Sequence, residues 1–179
     1  MELTEKITRM ILVDSDNLLG TKREIEERLD EIEFLKFLAN NQKSQIYYYF
    51  VPRQITLLAE EAKDPFVGFM EFLFNELRPA LEKKGHFFKT FISRDNIDSK
   101  IVTDIARLLL RGKKDIKEII LISGDGDFAE ILELAKEEGI KIIVVAGKKT
   151  CSRKLKEVAQ EVFYVEDLIG EHSELILQH

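Results

Sequence analysis

Three short strand-like runs in this chain each stop at an acidic cluster. Met10-Ile11-Leu12-Val13 ends at Asp14-Ser15-Asp16-Asn17, the Phe87–Ser93 run leads into Asp95-Asn96-Ile97-Asp98, and Ile119–Ser123 ends at Gly124-Asp125-Gly126-Asp127. Segments with helical spacing separate such runs. That alternation implies right-handed βαβ crossovers and a mainly parallel sheet, an α/β fold. The strand C-termini of an open parallel sheet share one edge, and ligands bind in the crevice there. Acids remote in sequence would crowd that edge, and their repulsion calls for a cation held by oxygens.

The remaining elements follow the same logic. Thr21–Leu38 reads as one helix with Ile25, Leu29, Ile32, Leu35 and Leu38 on its apolar face. Gln45–Val51 is rich in β-formers and reads as a strand closed by Pro52. Arg53–Asp64 reads as a short helix, and Pro65 opens the next. Phe66, Phe69, Met70, Leu73, Phe74 and Leu77 form a stripe that can serve as core or as a homodimer face. His86–Ser93, Glu118–Ser123, Lys141–Val145 and Val162–Val165 read as strands. Helices are expected over Ser99–Arg111, Phe128–Glu138 (stopped by Gly139) and Ser152–Gln160, with Ser152 as N-cap. The expected domain covers residues 1–168, with a C-terminal tail over 169–179, and the chain from Asp167 onward reads as a short helix or an arm.

At 179 residues the chain suits one domain with a real core. A net charge of -6 argues against a nucleic-acid coat protein but not against an enzyme whose metal site is itself acidic. The lone Cys151 excludes an intrachain disulfide and points to a reducing, cytoplasmic setting. The first residues do not read as a signal peptide, and no run reaches the ~18–20 apolar residues of a membrane span. The three histidines lack ligand spacing, and there is neither a zinc set, a P-loop nor a Gly-x-Ser-x-Gly elbow.

Each candidate has a plain alternative role. Asp14 follows its strand directly and suits either a turn or a metal, and Asn17 can orient it. Asp16 ranks below Asp14. Asp98 and Asp127 can cap the helices that follow them. Asp104 has Ile101, Ile105 and Leu108 around it at helical spacing, so its carboxylate faces inward and needs a metal, donors or a salt bridge to Arg53, Arg94 or Arg107. Asp125 sits between two glycines that permit an abrupt turn. Arg53, Arg94, Lys148, Lys149 and Arg153 follow strands at the same edge and suit a phosphate backbone.

Three segments resemble the NYN domain family of the PIN-like nuclease superfamily: ILVDSDN, IDSKIVTDIARLL and ILISGDGDFAEILELAKEEGIKIIVV. The later CSRKLKEVAQEVFYVEDL also fits. The chain departs where Ser15 follows the first acid and where Arg94 stands for a lysine before the middle one. The resemblance implies a three-layer Rossmann-like PIN-type fold, with about five or six mainly parallel strands flanked by helices. It implies a ribonuclease dependent on Mg²⁺ or Mn²⁺, with RNA as substrate. Its site acids would be Asp14, Asp98, Asp104, Asp125 and Asp127, supported by Asn17. The rival readings are a non-catalytic RNA- or protein-binding module and a haloacid-dehalogenase-like phosphatase. The latter lacks its expected downstream pair of acids here.

Overall fold

The computed structural model describes residues 6–25, 29–52, 65–93, 96–111 and 115–177. Six strands form one sheet: β1 Arg9–Asp14, β2 Ser44–Phe50, β3 Phe87–Ile92, β4 Glu118–Ile122, β5 Lys141–Ala146 and β6 Glu161–Tyr164. Their order is β3-β2-β1-β4-β5-β6, and every pairing is parallel. This is the doubly wound order, in which the chain reverses direction across the sheet between β1 and β4. Asp14 and the Ser123–Asp127 turn lie at that switch point.

Alternation along β1 splits the core. Ile11 and Val13 join Ile46, Tyr48 and Phe50 on one face, and Met10 and Leu12 join Tyr49 on the other. The first face is covered by α2 (Glu31–Ala39), by α3 (Pro65–Glu71), a π-helical turn over Phe72–Leu77 and α4 (Arg78–Glu82), and by α8 (Val165–Ile176). The second carries α5 (Asp98–Leu110), α6 (Ala129–Glu137) and α7 (Arg153–Val158). α1 (Ser15–Glu24) starts directly from β1, with the Asp14 side chain accepting from the Asn17 N–H as its N-cap.

The helix expected over Thr21–Leu38 is two helices. Asp30 stops any continuous run by capping α2, its carboxylate accepting from the N–H groups of Ile32 and Glu33. Leu29 bridges to Leu177, and the Asp30 N–H donates to the Ile176 carbonyl at 2.9 Å, so the break is fixed by the far end of the chain. Position 168 falls inside α8, where Ile169 and Ile176 are buried, so the residues expected as a tail up to Leu177 pack as part of the domain. In the Phe-rich stripe, Leu73 and Leu77 are fully buried and Phe66, Phe69 and Met70 pack on the core, while Phe74 stays 40% exposed. The Arg53–Asp64 helix lies outside the described residues.

The loops after β4 and β5 touch through backbone. The Ser152 N–H donates to the Gly124 carbonyl at 2.9 Å, and a Cβ at Gly124 would sit 2.4 Å from the Thr150 carbonyl oxygen. No side chain can move to relieve that clash. Gly124→Ala is therefore expected to lower stability by about 1–3 kcal/mol or more in urea unfolding. Gly20→Ala in α1, where an added Cβ meets nothing within 4 Å, is expected to raise it by about 0.5–1 kcal/mol.

Candidate active site

One serine hydroxyl joins two of the acidic motifs. Ser123 Oγ donates to Asp14 Oδ2 at 2.8 Å and accepts the Asp125 N–H at 3.1 Å. The other Asp14 oxygen accepts the Asn17 N–H at 3.1 Å. The Asn17 side-chain oxygen accepts the Gly124 N–H at 2.9 Å, tying the loop after β1 to the loop after β4 a second time. Asp125 Oδ1 accepts the Asp127 N–H at 2.9 Å and so caps the turn that enters α6. These short bonds hold Asp14 and Asp125 in one place at the carboxyl edge of the sheet.

The third motif reaches the same place through α5. Asp98 opens that helix, and its carboxyl is pushed up by burial, then by the charge of Asp125, with Asp127 adding. Asp16 is pushed up to about 6 by burial and by Asp98. Asp14 also rises to about 6, chiefly through burial, against the downward pull of the Asn17 N–H and the Ser123 hydroxyl, with Asp16 and Asp98 adding to the rise. Among the described residues none of these five acids has an ion-pair partner. Carboxylates from three separate segments therefore repel one another in a shared volume.

Asp104 is not in that volume. It lies six residues along α5 from Asp98, about 9 Å down the axis and about a third of a turn round. Its Oδ1 takes Lys100 Nζ at 2.8 Å and Arg107 at 3.5 Å, and its Oδ2 accepts the Tyr49 hydroxyl at 3.0 Å. The inward acid expected as a ligand is thus neutralised by its own helix. Of the salt-bridge partners expected, Arg107 is present, and Lys100 supplies the shorter contact.

Asp16 is the residue that sequence reasoning undervalued. Among the described residues its Oδ1 is buried without a partner at hydrogen-bond geometry, as is the hydroxyl of Ser15, while the Val51 backbone and the Ser15 hydroxyl still pull its pKa down against burial. The only sequence signal for it is its place in the cluster that ends β1. Ser123 likewise stood in the motif without a role. Of the basic residues, Lys148 pairs with Asp167 at 2.5 Å, Lys149 with Glu24 at 3.9 Å and Arg153 with Glu157 at 2.8 Å, all on exposed surface. Arg53 and Arg94 lie outside the described residues.

The donor set is all oxygen, and the orphaned Asp16 Oδ1 beside mutually repelling carboxylates fits a hard divalent cation. Among the described residues no three acidic, histidine or cysteine side chains close into a ready ligand set. Any ion bound here would have to draw the carboxylates inward.

Two measurements follow from this geometry. Ser123→Ala leaves Asp14 Oδ2 and the Asp125 N–H without their shared partner, and should cost about 1–3 kcal/mol in urea unfolding. A raised carboxyl binds protons better folded than unfolded, so the metal-free fold loses stability as pH climbs from 3.8 through about 6. Asp16→Asn removes its share of that loss. In chelator, its stability relative to wild type should improve by about 1–2 kcal/mol between about pH 4.5 and pH 7.5, a figure reduced for the solvent that screens this half-buried group. A pH-independent difference would contradict the assignment.

No curated protein matches the chain significantly. Among solved structures, a protein of unknown function from Vibrio parahaemolyticus RIMD 2210633 superposes with a TM-score of 0.66 at 21% identity, covering 99% of this chain and 100% of that one. That likeness concerns the fold alone. Among the described residues no helix is long and apolar enough to cross a membrane. The NYN domain family matches over residues 8–167, nearly the whole domain. With the doubly wound sheet and the acids gathered at its switch point, this places the chain in the NYN domain family of the PIN-like nucleases.

Proposed function

We propose that the protein is a metal-dependent ribonuclease that hydrolyses RNA phosphodiester bonds at the carboxyl edge of the sheet. The observation that carries this reading is the unpaired acid cluster. Asp14 and Asp125 are clamped by one serine, and Asp98 is electrostatically coupled to both loops.

Asp14, Asp16, Asp98 and Asp125 would hold Mg²⁺ or Mn²⁺, with Asp127 beside them. Such an ion supplies Lewis-acid polarisation of a phosphoryl oxygen and a bound water of lowered pKa. The chain's own residues do the positioning. Ser123 fixes the rotamer of Asp14 and leaves its remaining lone pairs available. Asn17 holds the Gly124 backbone so that Asp125 meets the β1 loop. Asp104 stays outside this set, engaged by Lys100 and Tyr49.

Lys148, Lys149 and Arg153 stand on the loop and helix start that pack against Gly124, and they would hold the phosphate backbone beside the acids. Their present partners are exposed surface carboxylates. Such pairs are worth about 0–1 kcal/mol, so a phosphate can displace them. RNA as the preferred strand rests on family membership, since no residue of the cluster reads a 2′-hydroxyl.

The test is cleavage of single-stranded RNA in Mn²⁺. Wild type should cut, EDTA should stop it, and Asp125→Asn should lose at least about a hundredfold in rate while its thermal melting transition survives. Equal cutting by wild type and Asp125→Asn would assign the activity to a contaminant and reject the reading.

A further inference from the structure

A second feature lies beside the acid cluster on the same face of the sheet. Asp14 pairs in register with Tyr49 on β2, and Tyr49 pairs with Phe91 on β3. Residues in register across parallel strands point to one face. Phe91 therefore lies two strand spacings from Asp14, about 9.5 Å across the sheet. Its ring stacks on Tyr49 with centroids 4.8 Å apart and planes 11° from parallel, and Tyr47 meets it edge-on at 5.2 Å.

This aromatic ledge borders a cavity of about 240 Å³ between β3 and α5, lined by Tyr47, Lys89, Phe91, Asp104, Arg107 and Arg111 among others. β3 is an edge strand, so the cleft opens to the side. Two ammonium groups lie against the Phe91 ring, Lys89 at 4.7 Å and Lys100 at 4.5 Å from its centroid. Lys100 and Arg107 share the single carboxylate of Asp104. Among the described residues Lys89 and Arg111 have no acidic partner. In a chain of net charge -6, four cations around one acid and two half-buried rings are a local reversal of sign.

We propose that this cleft is a single-stranded RNA subsite. Tyr49 backs one face of the Phe91 ring, and one base takes the place of the Lys89 and Lys100 ammonium groups on its outer face, beside Tyr47, while Lys89, Arg107 and Arg111 take the flanking phosphates. Flat rings with mobile cations over their outer face suit sequence-tolerant binding of a single strand, because every base has a π-face and every linkage a charge. The cavity is small for a drug-sized ligand and suits one ring system with its phosphates outside. A base on the ledge and a phosphate at the acids would belong to nearby nucleotides of one strand. The choice of RNA as occupant rests on the nuclease reading. The binding itself needs no metal and no cleavage.

The experiment is fluorescence anisotropy of the full chain with a labelled oligouridine in EDTA, over a salt series. Lys89→Ala/Arg111→Ala changes exposed residues and should weaken binding at least about tenfold. It should also flatten the slope of log K against log salt by about 1.4, the release expected from two phosphate contacts on a single strand. Phe91→Leu keeps an apolar side chain of similar size and removes the π-face. It should lose about tenfold in affinity with the salt slope unchanged. Unaltered binding in both variants, or displacement of the RNA by a polyglutamate peptide at matched charge, would overturn the assignment. If the cleft variants weaken binding but wild type never cuts, the subsite stands and the nuclease reading falls. If wild type cuts and the cleft variants bind normally, the reverse holds.

Discussion

The hydroxyl of Ser123 is the hinge of the candidate site. β1 and β4 are neighbours at the point where the sheet reverses its winding, and their loops diverge immediately afterwards. Without a link, Asp14 and Asp125 would sit on independent turns. Ser123 donates to one and accepts from the backbone of the other, both within ordinary hydrogen-bond distance. Asn17 makes a second strap to Gly124, which can lie against the Thr150 backbone only because it has no Cβ. Two small polar side chains and one absent methyl group thus fix the backbone of the two loops against each other. Burial then raises the proton affinity of Asp14 and of Asp98, and neighbouring carboxylates raise it further.

The sheet was legible because its signals are local. β1, β4 and β5 each carry an unbroken apolar run, and β1 and β4 end at acidic turns. Asp14 and Asp125 could be placed at one edge for the same reason, since parallel strands leave their C-termini together. What failed was non-local. The break between α1 and α2 is set by contacts of Leu29 and Asp30 with Ile176 and Leu177, nearly the whole chain away. The raised proton affinity of Asp16 depends on burial and on the charge of Asp98 on α5, against the pull of the Val51 backbone after β2, and no local pattern encodes that.

Asp104 teaches a different lesson, because its partners were in view. Lys100 stands four residues before it and Arg107 three after, the two spacings that meet on a helix surface. The inward position was read correctly, and the buried carboxylate did need compensation. The helix supplied that compensation itself, and the Tyr49 hydroxyl completed it from β2. An acid on an inward face therefore weighs little toward a metal site until the cations one turn away have been counted.

Charge is segregated rather than averaged. The acids at the switch point carry no counter-ions among the described residues. Cations flank them on two sides, with Lys148, Lys149 and Arg153 next to the β4 loop and Lys89, Arg107 and Arg111 beyond Tyr49. A polyanion approaching this edge meets attraction at the flanks and repulsion at the centre. A bound divalent ion would cancel the central repulsion, so metal and strand would each raise the affinity for the other by the same factor, as linkage demands. On the proposed nuclease reading an acidic protein would act on an acidic polymer in this way, its own negative charge becoming the seat of the ion that the two share.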